Sequence, residues 1–333
     1  MPRMIPPWTF IEEDGVGVVK VGDATYQVDT TRPPAFFLPD YLESRLPSDW
    51  LESQRSLQES EQHLLMRWLA SYRRFLARFD HLPDRERFRE ILDADTIALL
   101  IAAFDMLFLD KERRLQETII RRLTANISFQ GALYETSVAA IMIRAGFDIA
   151  FEDESDSSRK HPEFVATHRQ TGIKVAVEAK SIHRQGVLGF DGGKPPPTVK
   201  SGSAHKIAAE IMGQVQRALP KADDLPFYVF VDLNLPPRVA ERFLPETRPE
   251  FEYILPKVDH GINKHGIVLG KRLNLLVAMN RPMHLGDERH SGGDTLSLVT
   301  SPKPPERCRY PEGAQHIEEV KAAVRNYGTV RVA

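Results

Sequence analysis

Apolar positions along this chain recur at two different periods. Residues 8 to 29 alternate in short runs, FIEE, VGVVKV and ATYQVD, separated by Asp14-Gly15 and Gly22-Asp23. That pattern predicts short β-strands joined by tight turns. From residue 40 to about 125 the period lengthens. EQHLLMRWLASYRRFLARF carries apolar residues three and four positions apart, as a half-buried helix requires, and HLPD ends it. DADTIALLIAAFDMLFLDKERRLQETIIRRLTAN continues as one or two helices. ALYETSVAAIMIRAGFDI opens another helix, with Gly146 placed at its C-terminal cap, where positive φ is needed.

FDIAF then reads as a strand, EDESDSSRK as a loop, and HPEFVATHRQTGIKVAVEAKS as a β-hairpin. Residues 183 to 202, rich in Gly and Pro, read as a long loop. AHKIAAEIMGQVQRAL is a helix and PFYVFVDLNLPP a buried strand. Beyond Pro237, NLLVAMN and TLSLVT look like strands and AQHIEEVKAAVRN like a closing helix. The order helix, strand, hairpin, helix, strand predicts an α/β fold with a mixed sheet flanked by helices. Four segments follow: 1–35 short strands, 36–127 helical, 128–236 the α/β core, and 237–333 a mixed extension. The helical segment is either a separate unit or padding for the core.

The hairpin is the most informative stretch. With Thr171-Gly172 at the centre of a two-residue turn, Glu163 opposes Lys180 and Val165 opposes Glu178. One face then carries Glu163, Val165, Thr167, Arg169, Lys174, Ala176, Glu178 and Lys180. The other carries Phe164, Ala166, His168, Val175, Val177 and Ala179, and is expected to pack on the core. A slip of one residue would exchange the faces.

Composition narrows the class without changing this picture. No apolar run reaches the roughly 18 residues of a membrane span. The start MPRMIPPWTFIEEDG lacks the basic-then-apolar pattern of a secretory signal. The single cysteine, Cys308, excludes an internal disulfide and a multi-cysteine metal site, so a cytoplasmic location is expected. A net charge of −2 is not that of a globally basic nucleic-acid binder, although a local patch can still neutralise phosphates. Two arginine-rich helical stretches, Arg67 to Arg78 and Lys111 to Arg122, are interleaved with acids and read as solvated faces.

The chemistry gathers at the open end of the hairpin. Two neighbouring carboxylates repel, and one takes a proton unless a cation intervenes. Lys180 supplies one charge. Mg²⁺ supplies two and accepts carboxylate oxygens while keeping several waters, so it can promote attack of water on phosphorus. Lys180 is then placed to orient that water or to stabilise charge on the phosphate.

Pro162-Glu163, followed by Glu178-Ala179-Lys180 at a strand end, resembles the PD-(D/E)xK nuclease superfamily, the restriction-endonuclease-like fold, over roughly residues 128–236. The resemblance implies Mg²⁺ (with Mn²⁺ as a substitute) on Glu163, Glu178 and the Ala179 carbonyl. It makes Lys180 the catalytic lysine and Glu135, in the preceding helix, an auxiliary ligand or water partner. Gln214, in the helix after the ExK strand, is a weak substrate-binding candidate. The chain departs from the family in carrying Glu163 where Asp is usual, one methylene longer. Arg184, Lys194, Lys200 and Lys206, in or beside the Gly/Pro-rich loop, are candidates for gripping phosphate, although the loop reads equally as a connector.

Other constellations are weaker. Glu319-Val320-Lys321 is a second ExK triplet, but it falls on a solvated helix face. His284, Asp287, Glu288 and His290 lack helical HExxH spacing. The implied activity is Mg²⁺-dependent hydrolysis of phosphodiesters, in DNA more than RNA, with a homodimer suited to two-strand cutting. The alternative is a nucleic-acid-binding or scaffold protein that keeps the fold without cleaving. A third reading is a metal-dependent hydrolase of a small phosphorylated substrate.

Overall fold

The computed structural model describes residues 8–13, 16–21, 24–28, 34–79, 92–152, 161–184, 188, 204–221, 225–235, 273–281, 296–300 and 314–328. Three short strands, β1 (Thr9–Glu13), β2 (Val16–Val21) and β3 (Ala24–Val28), form an antiparallel meander, as their alternation predicts. Val19 and Val21 turn inward and are buried. The helical stretch resolves into α1 (Leu38–Arg45), α2 (Ser48–Arg55), α3 (Leu64–Phe79), α4 (Ala94–Lys111) and α5 (Glu117–Leu123). The ambiguous long run is therefore two helices. α4 starts at Asp93, whose side chain accepts from the Thr96 N–H, and the chain breaks after it at Arg113, which takes φ 55°.

α6 (Phe129–Arg144) is apolar on nearly every side and is central to the core. It ends at Gly146, with φ 85°. β4 (Phe147–Phe151), β5 (Phe164–His168) and β6 (Lys174–Ser181) follow, then α7 (Ala204–Ala218), a 3₁₀ turn (Leu219–Lys221) and β7 (Phe227–Asp232). β8 (Leu273–Asn280), β9 (Leu296–Thr300) and α8 (Gln315–Arg325) complete the described elements. The main sheet has the order β4-β5-β6-β7-β8-β9. Its first three strands are antiparallel, β6, β7 and β8 are parallel, and β9 returns antiparallel. The fold is thus α/β with a mixed sheet.

Both sheet faces are covered, so the central strands are apolar throughout, as parallel strands buried on two sides are. On one face Phe164, Ala166, Val175, Val177, Tyr228 and Phe230 join a core shared with α4, α6, α8 and the N-terminal meander. On the other, Ala176, Val229 and Val231 pack against Ile207, Ile211 and Val215 of α7. The helical segment and the meander therefore pad the sheet. The strands and helix from the last hundred residues belong to the same sheet and core. No helix among the described residues is long and apolar enough to cross a membrane.

The hairpin has the predicted faces and a different register. Phe164 pairs with Val177 and Val165 with Ala176, a displacement of two residues from the expected alignment. Because the shift is even, every side chain keeps its face. The cause is at the turn. A two-residue turn of either favoured type would require positive φ at its first central position, which the β-branched Thr171 resists. The chain instead closes a longer loop: the His168 N–H donates to Ile173 O at 2.8 Å and the Gly172 N–H to His168 O at 2.8 Å, with Gly172 alone at φ 66°. His168 stays in the core as the one polar member of its face. Its ring meets Thr171 Oγ1 at 2.8 Å and Glu319 Oε2 at 2.5 Å, so the second ExK triplet holds α8 on the sheet.

Candidate active site

The shifted register brings Glu163 to the level of Glu178. Glu163 lies one residue before β5, and its N–H donates to Val177 O at 3.0 Å. Pro162, lacking an N–H, precedes it where no ladder bond is needed. Glu178 lies mid-strand on the α7 side of β6 and is 0% exposed. Ladder bonds to β7 fix it, with Glu178 opposite Val229 and Lys180 opposite Val231. Alternation along β6 returns Lys180 to the same face, where its ammonium contacts Glu178 Oε1 and lies 3.5 Å from Glu163 Oε1. Glu163, Glu178 and Lys180 are thus brought to one point.

A fourth residue completes the cluster. Lys221, last in the 3₁₀ turn after α7, places its ammonium 2.8 Å from Glu178 Oε1 and 3.5 Å from Glu163 Oε1. The motif carried no signal for it, because its position depends on how the turn after α7 returns the chain towards β7. Leu219, buried in the core beneath α7, anchors that turn. An isolated lysine after a helix reads in sequence as surface.

The electrostatics follow from burial. Desolvation, and then the neighbouring Glu163 charge, raise the Glu178 carboxyl pKa against the opposing pull of Lys180 and Lys221. For Lys221 burial works the other way, yet Glu178 and Glu163 outweigh it and raise the ammonium pKa. Both ammoniums crowd on Oε1 of Glu178. Its Oε2 is buried and has no hydrogen-bond partner among the described residues. An unsatisfied buried carboxylate oxygen is unfavourable by roughly 1–3 kcal/mol or more, which a ligand there would relieve.

These residues fit a divalent cation. Two carboxylate oxygens approach a common cationic nitrogen, Glu178 Oε2 has no hydrogen-bond partner among the described residues, and hard oxygen donors suit Mg²⁺ or Mn²⁺. Ala179, between Glu178 and Lys180, turns its side chain to the opposite core and can offer only its carbonyl. No cluster of three or more His, Cys, Asp or Glu side chains occurs among the described residues.

Glu135 is placed differently from the expectation. Arg122 grips its carboxylate with two hydrogen bonds, both 2.6 Å. α6 packs into the core on the far side of the sheet from Glu178. The pair clamps α5 to α6. Arg184 is also committed: its Nε donates to Leu233 O at 2.9 Å and Nη2 meets Glu210 Oε2 at 2.5 Å, bracing the β6 exit against α7. Gln214 is buried on α7 and Lys206 is exposed near that helix's start. Lys194 and Lys200 lie outside the described residues, as do His284, Asp287, Glu288, His290 and Cys308.

Comparison of the chain with family models, with curated proteins and with solved structures gave no match.

Proposed function

We propose that this protein is a Mg²⁺-dependent nuclease with a restriction-endonuclease-like core, acting on DNA in preference to RNA. One observation carries the reading. Glu163 Oε1 and Glu178 Oε1 both lie within 3.5 Å of the Lys221 nitrogen, while Glu178 Oε2 is buried without a hydrogen-bond partner among the described residues. Two carboxylates that share a cation are the protein half of a metal site, and the lysine two residues beyond the second supplies the positive charge phosphoryl chemistry needs. An antiparallel hairpin leading into parallel β6 and β7, with α6 and α7 on opposite faces, also supports this core. A role in restriction, defence or repair rests on the resemblance to PD-(D/E)xK nucleases alone.

Glu163 and Glu178 would hold the divalent ion, which would supply Lewis acidity for the attack of water on phosphorus. Lys180, tied to its carboxylates by the strand, keeps its ammonium beside the reacting group and stabilises negative charge growing on a phosphate oxygen. In-line attack forms a new bond from water oxygen to phosphorus and breaks the bond to the 3′ oxygen, leaving a 5′-phosphate. The proton lost by water passes to solvent, and the departing 3′ oxygen takes one from solvent to become a 3′-hydroxyl.

A second reading is favoured by a specific feature. Two ammoniums balance two carboxylates, so the cluster is neutral by itself and satisfies the charge of a protein that keeps the fold and binds nucleic acid without cutting it. Incubation of plasmid DNA with the full chain, with Mg²⁺ and with chelator, separates the two. Under the leading reading the wild type nicks or linearises plasmid only with Mg²⁺, and Lys180→Ala and Glu178→Gln each abolish cutting. DNA binding in a gel shift with no metal-dependent cleavage supports the second reading and ends the first.

A further inference from the structure

Lys221 has no counterpart in the motif that pointed to this site, and its position has a consequence for how a cation enters. We infer that Lys221 is the place-holding cation of the cluster: its ammonium stands in for the divalent ion between Glu163 and Glu178 and is displaced when that ion binds. The inference rests on the metal-site reading above.

Three observations lead to it. Lys221 Nζ touches both carboxylates, at 2.8 Å and 3.5 Å, and so stands between the donors an incoming ion needs. Lys180 and Lys221 converge on the same oxygen, Glu178 Oε1, where two like charges repel each other while Oε2 has no hydrogen-bond partner among the described residues. The two lysines also differ in tether. Lys180 belongs to β6, two residues from Glu178 on the same face, with its backbone locked in the ladder opposite Val231. Lys221 is the terminal residue of a short 3₁₀ turn, and only its four-carbon stem reaches into the site. When a third cation arrives, Lys221 is the one free to withdraw.

Charge balance points the same way. Two carboxylates and two ammoniums are neutral, and adding a dication leaves a surplus of two positive charges. Withdrawal of one ammonium leaves a surplus of one, which a single phosphodiester group neutralises. Lys221 therefore competes with metal in the free protein.

The test is Mn²⁺ binding, measured by titration calorimetry and by loss of the free Mn²⁺ paramagnetic resonance signal, on the full chain at one pH. Lys221→Met removes the competing charge and keeps the stem. It is expected to bind Mn²⁺ at least about tenfold more tightly than wild type. Lys221→Gln should show the same tightening, which keeps the test alive should the Met variant fail to fold. Lys221→Arg retains the charge and should bind no more tightly than wild type. Glu178→Gln should abolish binding in each background. Wild-type binding with no tightening in the Met and Gln variants, or equal effects of Arg and Met, overturns the place-holder role and leaves the metal site standing. Absence of Mn²⁺ binding in wild type and both neutral variants overturns the metal site and this inference together.

Discussion

The Lys221 ammonium lies 2.8 Å from Oε1 of Glu178, a carboxylate with no solvent exposure. Lys180 contacts the same oxygen, so one buried charge has two counter-ions. Each should compensate for loss of the other. Lys180→Met and Lys221→Met are expected to lower stability modestly as single changes. The double variant should lose more than their sum, with a coupling on the order of 2 kcal/mol, because Glu178 is then buried without a cation. Urea denaturation of all four proteins measures this. Strict additivity would show that the two lysines do not share the charge.

His63 makes stability depend on mild acid. Its ring lies edge-on between Trp50 and Phe129, with centroids at 5.3 Å and 4.8 Å, and Nδ1 accepts the Leu65 N–H. Burial, and then Arg67, push its pKa down to about 4. Between that value and 6.5 the unfolded chain binds the proton that the folded chain refuses. The stabilisation is complete above pH 6.5 and is lost as pH falls towards 4, by up to roughly 3 kcal/mol. Melting followed by circular dichroism at pH 7 and pH 5 should show this loss in wild type and a smaller one in His63→Gln.

Tyr327 ties the C-terminal helix to the core. Its hydroxyl donates to Asp105 Oδ2 at 2.8 Å, and Ser137 Oγ lies at the same distance. Arg144 Nη1 is 3.8 Å from the other Asp105 oxygen. Tyr327→Phe takes this hydrogen bond from the buried Asp105 carboxylate and is expected to lower stability by about 1–3 kcal/mol in urea titration. A loss below a few tenths of a kcal/mol would mean that the network relaxes at no cost.

Gly146 tests the link between α6 and the sheet. At φ 85° an added methyl group strains the backbone, while its nearest neighbour, His168 Nε2 at 3.5 Å, is an ordinary contact. Gly146→Ala should lower stability by about 1–2 kcal/mol, read as a drop in melting temperature. An unchanged melting temperature would show that the turn can adopt a different path.

Most elements were legible in the sequence because each answers to a local rule. Apolar positions three and four apart marked α3, a longer and more apolar run marked α4, and Gly146 ended α6 where a positive φ is needed. Alternation assigned both hairpin faces, and a displacement of two residues could not disturb that assignment. The register was less legible, since it depended on the refusal of Thr171 to take a left-handed conformation in a two-residue turn.

The sequence by itself determined that Glu163, Glu178 and Lys180 share one side of a hairpin, because side chains alternate strictly along a strand. Tertiary structure alone decided what joins them and what does not. Lys221 arrives because packing of α7 on β6 and β7 aims the following turn at Glu178. Glu135 is drawn instead to Arg122, because α5 docks against α6 on the other side of the sheet. Both outcomes depend on the layer to which a helix is packed, and charge spacing along the chain carries no record of that layer.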